Sequence, residues 1–271
     1  MKRIIYYSLA CCMAVAFAAG VVSNAGAVAP TPNGAVFHTR VFNDCPESVL
    51  NTVNGYPALM SISDNAADTC RAFANLHTWR FSADGGANAI LFQNADTFRF
   101  SADLVIDGPG QAESGIQISP WWSQDAEGRI NVRTTDGEIA CFGGFLPFFN
   151  FTQTFGVVYV KGTPIHLELN YVAHSNTQAD PGTLEAKLDY NGVHYTSGIK
   201  PFNNCNPSDP PQYGCYGVAN DAEAGGHLQA LWFPGQNQEV HSTWSNIQFF
   251  ADEKPTAGRS FSWGSVKTIY R

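Results

Sequence analysis

Gly115-Ile116-Gln117-Ile118-Ser119, Arg129-Ile130-Asn131-Val132-Arg133, Ile165-His166-Leu167-Glu168-Leu169-Asn170-Tyr171 and Leu184-Glu185-Ala186-Lys187-Leu188-Asp189-Tyr190 share one pattern, in which apolar and polar residues alternate. Successive side chains on a strand point to opposite faces, so each segment offers one apolar and one polar face. Working outward, further strands are expected at 37–42, 77–82, 89–93, 97–106, 113–119, 129–134, 138–142, 157–160, 165–173, 183–190, 193–197, 215–219, 227–233 and 243–250. Asp107-Gly108-Pro109-Gly110, Asp125-Ala126-Glu127-Gly128 and Thr135-Asp136-Gly137 supply turns. Asn191-Gly192 predicts a two-residue hairpin. Residues 43–75 read as polar and irregular, with a short helix near Asp68–Ala74. The Phe-rich stretch 143–156 reads as a loop that is either a cap over one end of the sandwich, the first reading, or a contact surface. Many short strands with regular turns predict an all-β, two-sheet antiparallel β-sandwich of jelly-roll type. The composition agrees, with 44% hydrophobic and 14% charged residues, 25 Gly and 15 Pro.

Met1-Lys2-Arg3, an apolar run from Ile4 to about Val22 and Ala25-Gly26-Ala27 have the layout of a secretory signal peptide spanning residues 1–27. The expected organisation is then one sandwich domain at 28–250 and a linker with a C-terminal tail at 251–271, placed outside the cell, in a periplasm or on a cell surface. No later stretch is apolar enough to cross a bilayer as a helix. The net charge is −8 and no basic cluster follows the leader, which argues against nucleic acid as a partner.

Seven cysteines are present, two of them in the leader. Cys205 and Cys215 flank a Pro-rich loop and are the first expected disulfide; Cys45 with Cys70 is the next. Cys141 is then left unpaired, as a buried apolar side chain. No Cys-x-x-Cys occurs and the seven His residues show no metal-ligand spacing, so no zinc site is expected. Asn220-Asp221-Ala222-Glu223 and the segment Asp103 to Asp107 offer oxygen ligands for one structural Ca²⁺.

Gly162-Thr163-Pro164 before Ile165-His166-Leu167-Glu168-Leu169, the hairpin Leu188-Asp189-Tyr190-Asn191-Gly192-Val193, and Trp244-Ser245-Asn246-Ile247-Gln248-Phe249 together resemble the concanavalin A-like lectin/glucanase superfamily, including laminin G-like domains. The resemblance covers roughly residues 95–250 and names no specific family. It implies two curved antiparallel sheets, the concave one often used for sugars.

The polar faces carry Gln117, Asn131, Arg133, His166 and Glu168. If their strands are neighbours, these residues line one groove suited to the hydroxyls and carboxylates of an oligo- or polysaccharide. Trp121 and Trp122, adjacent in a loop, add a ring able to stack on sugar. The chemistry of cleavage is less well represented. The Glu-x-Asp-x-(x)-Glu run common in glucanases of the resembled superfamily is missing. Sugar lyases carry Gln-Ile-His or Gln-Val-His, whereas Gln117-Ile118 is followed by Ser119. The first reading is a secreted carbohydrate-binding protein of lectin type. The alternatives are a polysaccharide-cleaving enzyme, lyase before glycoside hydrolase, and a structural or adhesive exoprotein without a small ligand.

Overall fold

The computed structural model describes residues 29–65, 74–119, 128–204, 216–218, 220–233 and 239–251. The expected leader, Trp121, Trp122, the linker and the tail lie outside these residues, as does nearly all of the helix expected at 68–74.

The chain forms two antiparallel sheets of seven strands each. The first runs β1 (Gly34–Asn43), β4 (Ala74–Ser82), β13 (Glu223–Leu231), β6 (Gln111–Ser119), β7 (Gly128–Arg133), β8 (Ile139–Phe142) and β9 (Phe149–Asn150). The second runs β12 (Val193–Pro201), β11 (Thr183–Tyr190), β10 (Ile165–Val172), β5 (Phe98–Asp107), β14 (Glu239–Ala251), β3 (Leu59–Asn65) and β2 (Val49–Gly55). Sequence neighbours are often not sheet neighbours: β4 lies beside β13, and β5 beside β14. This is the expected jelly-roll sandwich.

The alternating segments behave as their period demands. Ile165, Leu167, Leu169 and Tyr171 of β10 are buried between the sheets, while His166, Glu168 and Asn170 are partly exposed outside. Asn191 and Gly192 both take positive φ, 53° and 76°, which is what the tight β11–β12 hairpin requires. At the centre Trp79 and Trp244 meet edge to face at 6.1 Å. Trp244 Nε1 crosses to the first sheet and donates to Gly115 O at 3.0 Å. Gly226 lies under this pair; an ideal Cβ there comes 2.2 Å from Trp79 Nε1 and 2.8 Å from Trp244. Gly226→Ala is therefore expected to cost about 1–3 kcal/mol by overpacking, measured by denaturant unfolding.

Three expectations are corrected. Residues 43–75, read as irregular, contain β2 and β3. β2 is an edge strand and mostly exposed, so its polar residues cost nothing. β3 alternates Met60, Ile62 and Asp64 inward, and the carboxylate in third place conceals the pattern. The segments 89–93 and 157–160 form no regular strand, nor do residues 216–218, the described part of the strand expected at 215–219. Side chains replace a ladder at 157–160: the Tyr159 hydroxyl accepts from Ile106 N at 2.9 Å, and the Tyr190 hydroxyl accepts from Val160 N at 2.9 Å. The Phe-rich stretch holds a short helix, α1 (Phe151–Phe155), with Asn150 as its N-cap and Gly156 closing it in the left-handed region. Phe151 is buried in the core.

Among the described residues, Asp64 is the one acid wholly enclosed between the sheets. Its Oδ2 accepts from Asn75 Nδ2 at 3.1 Å and lies 3.0 Å from His77 Nε2. Arg40 N donates to His77 Nδ1 at 3.0 Å, which fixes the tautomer with its proton on Nε2. Burial pushes the Asp64 carboxyl upward, but hydrogen bonds from His77, Ser48 and Asn75 outweigh it, and the group titrates below its ordinary value. The network joins β3 of the second sheet to β4 of the first. Cys141 is free and buried, its thiol pushed up to about 12 by burial. Cys45 is buried against Trp232. Cys70, Cys205 and Cys215 lie outside the described residues.

Candidate functional site

Strand order divides the expected groove. Gln117 on β6 and Asn131 and Arg133 on β7 lie on the outer face of the first sheet, opposite buried Ile116, Ile118, Ile130 and Val132. His166 and Glu168 lie on the outer face of the second sheet, because β10 belongs there. The two halves face away from each other across the sandwich. His166 Nδ1 sits 2.6 Å from Asp103 Oδ1, and Glu168 pairs with Lys187 at 3.1 Å. Lys187 also reaches Glu185 at 3.4 Å, so the two carboxylates share a cation. Arg133 is spoken for as well. Asp136 holds it at 2.9 and 2.7 Å, Glu138 at 3.0 Å and Glu113 at 3.8 Å. The Asp136 hydrogen bond, opposed by partial burial, and the charges of Glu138, Asp136 and Glu113 raise its titration further.

The first sheet instead presents a row that the sequence reading did not assemble. Register places Arg80, Gly225, Gln117, Arg129 and Phe142 side by side across β4, β13, β6, β7 and β8. Beside it run Thr78, His227, Gly115, Asn131 and Ala140. With its carbonyl oxygen toward Arg80, the Gln117 amide accepts from Nη2 at 2.8 Å and Nη1 at 3.1 Å. Arg80 Nη2 also donates to Ser119 Oγ at 3.1 Å. Gly225 stands between Arg80 and Gln117, so no side chain separates them; a Cβ there would also strike Trp79 O. Burial lowers Arg80 to about 10, against the raising effect of Glu223.

Glu223 closes one end of the row. Its Oε2 is 3.4 Å from Arg80 Nε and 3.2 Å from His38 Nδ1. Neither contact is aligned as a hydrogen bond, and all three atoms are buried without a hydrogen-bond partner among the described residues. Such groups are costly when left unmade. Glu223 and His38 also line a cavity of about 480 Å³ with Ala87, Asn88, Ala89 and Leu91. The loop bearing Asn88 is braced by Asp84, whose carboxylate accepts from Ser82 Oγ, Ala87 N, Asn88 N and Asn88 Nδ2.

His227 lies in the second row. Its Nε2 is 2.9 Å from Asn131 Oδ1, across the space left by Gly115. Burial first, then the charges of Arg129 and Arg80, hold the imidazole well below its ordinary value, so it is neutral at neutral pH. With Nε2 donating to Asn131, the lone pair of Nδ1 is left without a partner.

The oxygen ligands considered for Ca²⁺ do not converge. Asn220 Oδ1 accepts from Asn94 N and Asp221 Oδ1 from Gln93 Nε2, while Glu223 faces Arg80. Asp103 is engaged by His166, and Asp107 by Gly108 N.

No protein-family model and no curated protein sequence matches the chain. Solved structures do. One is an alginate lyase of polysaccharide lyase family 7, with 12% identity, 80% of this chain and 94% of that chain covered, and a TM-score of 0.41. Another is a carbohydrate-binding module of Bacillus subtilis, with 9% identity, 81% and 98% covered, and a TM-score of 0.37. A third is a Lotus tetragonolobus seed lectin, with 11% identity, 84% and 97% covered, and a TM-score of 0.43.

Proposed function

We propose that the chain recognises a glycan, and that the His38–Glu223 cavity is its principal subsite. The observation that carries this reading is a cavity of about 480 Å³ lined by Glu223 and His38, whose Oε2 and Nδ1 stand 3.2 Å apart without a hydrogen bond. That volume lies within the range of small-ligand pockets. A sugar hydroxyl both donates and accepts, so one hydroxyl satisfies a carboxylate acceptor and an imidazole donor together. Asn88 supplies an amide, and Ala87, Ala89 and Leu91 supply the apolar wall that a pyranose ring needs. Export to an oxidising compartment, with the pairs Cys45–Cys70 and Cys205–Cys215, belongs to the same proposal. The test is an array of neutral and uronate-containing glycans probed with the purified protein. Saturable binding to one class is expected; silence across the array returns the structural exoprotein to first place.

A second reading has one observation in its favour. Neutral His227, with a free Nδ1 lone pair and two arginines nearby, is the charge state a general base needs. In a β-elimination, Arg80 and Gln117 would neutralise a uronate carboxylate while His227 takes the C5 proton; the C4–C5 double bond forms as the C4–O glycosidic bond breaks, and the leaving oxygen takes a proton from water. Uronate polysaccharides are then converted to an unsaturated product that absorbs in the ultraviolet, and His227→Ala abolishes the signal. A flat trace with wild-type protein on every uronate polymer rejects this reading.

A further inference from the structure

The row of the first sheet does not end at Gln117. Arg129 follows on β7 and Phe142 on β8. The Arg129 guanidinium lies over the Phe142 ring, 4.4 Å from its centroid. Phe148, in the connection to β9, leans on the same ring at 6.0 Å with an interplanar angle of 39°. Phe142 is thus held by a cation and by a second ring, while Phe148 itself is 61% exposed. Its sequence neighbour Phe149 packs partly against the core.

From these contacts we infer that Phe142 and Phe148 form a second, stacking subsite for a sugar ring of the same glycan. The inference rests on the glycan reading and adds to it the length of the ligand. Exposed aromatic rings fixed in place bind the apolar faces of pyranoses at little conformational cost. The occupant is assigned by continuity: the platform terminates the register row that begins at Arg80, beside Glu223. Four strand spacings separate β4 from β8, or about 19 Å at roughly 4.8 Å per strand. A ligand that reaches both ends is therefore an oligosaccharide lying across the strands, not a mono- or disaccharide.

The test uses size-graded oligogalacturonides and cello-oligosaccharides, an anionic and a neutral series, titrated by calorimetry into the full mature protein. In the series that binds, affinity is expected to rise with length until both ends are reached. Phe148→Ala should remove that gain, about 3- to 10-fold, and leave the shortest binder unchanged. Phe148→Trp should keep or enlarge the gain. Phe148 is exposed, so Phe148→Ala is expected to unfold like wild type, which is checked on the same sample. Short ligands that bind with no further gain from length, or a gain that survives Phe148→Ala, overturn the platform and leave the cavity reading standing. Phe148→Ala altering self-association in sedimentation, with glycan affinity unmoved, assigns the rings to a second copy of the chain and overturns it too. Failure of both series to bind at any length removes the platform together with the reading it rests on.

Discussion

Asp64→Leu is expected to destabilise the fold by about 3–5 kcal/mol, because it removes one member of a wholly buried, hydrogen-bonded pair. His77 Nε2–H loses its acceptor and Asn75 Nδ2 loses one of three. For a domain of this size that corresponds to a fall in melting temperature on the order of 10 °C. The effect has a pH signature. The folded-state carboxyl titrates below its unfolded value. Its contribution is therefore complete above roughly pH 4 and is lost as pH falls through the folded value. The gap between wild type and Asp64→Leu should narrow in acid. Asp64→Leu with His77→Leu should recover part of the loss, since removing both partners leaves fewer orphaned groups. A single variant within about 0.5 kcal/mol of wild type, the range of an ordinary surface substitution, would show that the link between the sheets is not structural.

Glu223→Gln carries the largest expected effect on binding. The amide keeps the shape of the side chain but replaces a charged acceptor by a neutral one. A hydrogen bond to a charged group contributes about 1.5–3 kcal/mol, so affinity for the bound glycan should fall about 10- to 100-fold. Glu223 also raises the titration of buried Arg80, so some stability is lost with it. The two effects separate with Leu91→Arg. Leu91 lines the same cavity and is exposed, so the substitution fills the mouth without touching the Arg80–Glu223 pair. Loss of binding in both variants, with Leu91→Arg melting like wild type, assigns the effect to the cavity. Unchanged affinity in both would place the glycan elsewhere.

The period-two segments made the sandwich legible, since burial on one face forces alternation and the turn at Asn191-Gly192 is written in residues that accept positive φ. Their partners were not legible. His166 and Gln117 carry the same local pattern, and only strand order puts them on opposite faces. Arg80 was within reach: Trp79 and Phe81 are apolar neighbours, so alternation already aims Arg80 outward from a strand expected at 77–82. Glu223 and His227 were concealed for a different reason. Gly225 and Gly226 lie between them and erase the alternation, because close approach to Trp79 and Trp244 admits no Cβ. Arg133 misled because an unpaired arginine and one held by three carboxylates read alike in sequence. β3 was missed because Asp64 occupies a core position that His77, Ser48 and Asn75, none of them its sequence neighbours, make tolerable.

The central claim is that a glycan sits against Glu223 and His38 on the first sheet. The most direct measurement is a crystal structure of the protein with its strongest array ligand. The account predicts a sugar ring in the cavity, with a hydroxyl within hydrogen-bonding distance of the Glu223 carboxylate and the His38 imidazole. Sugar density on the outer face of the second sheet, around His166 and Glu168, with the cavity empty, would contradict it.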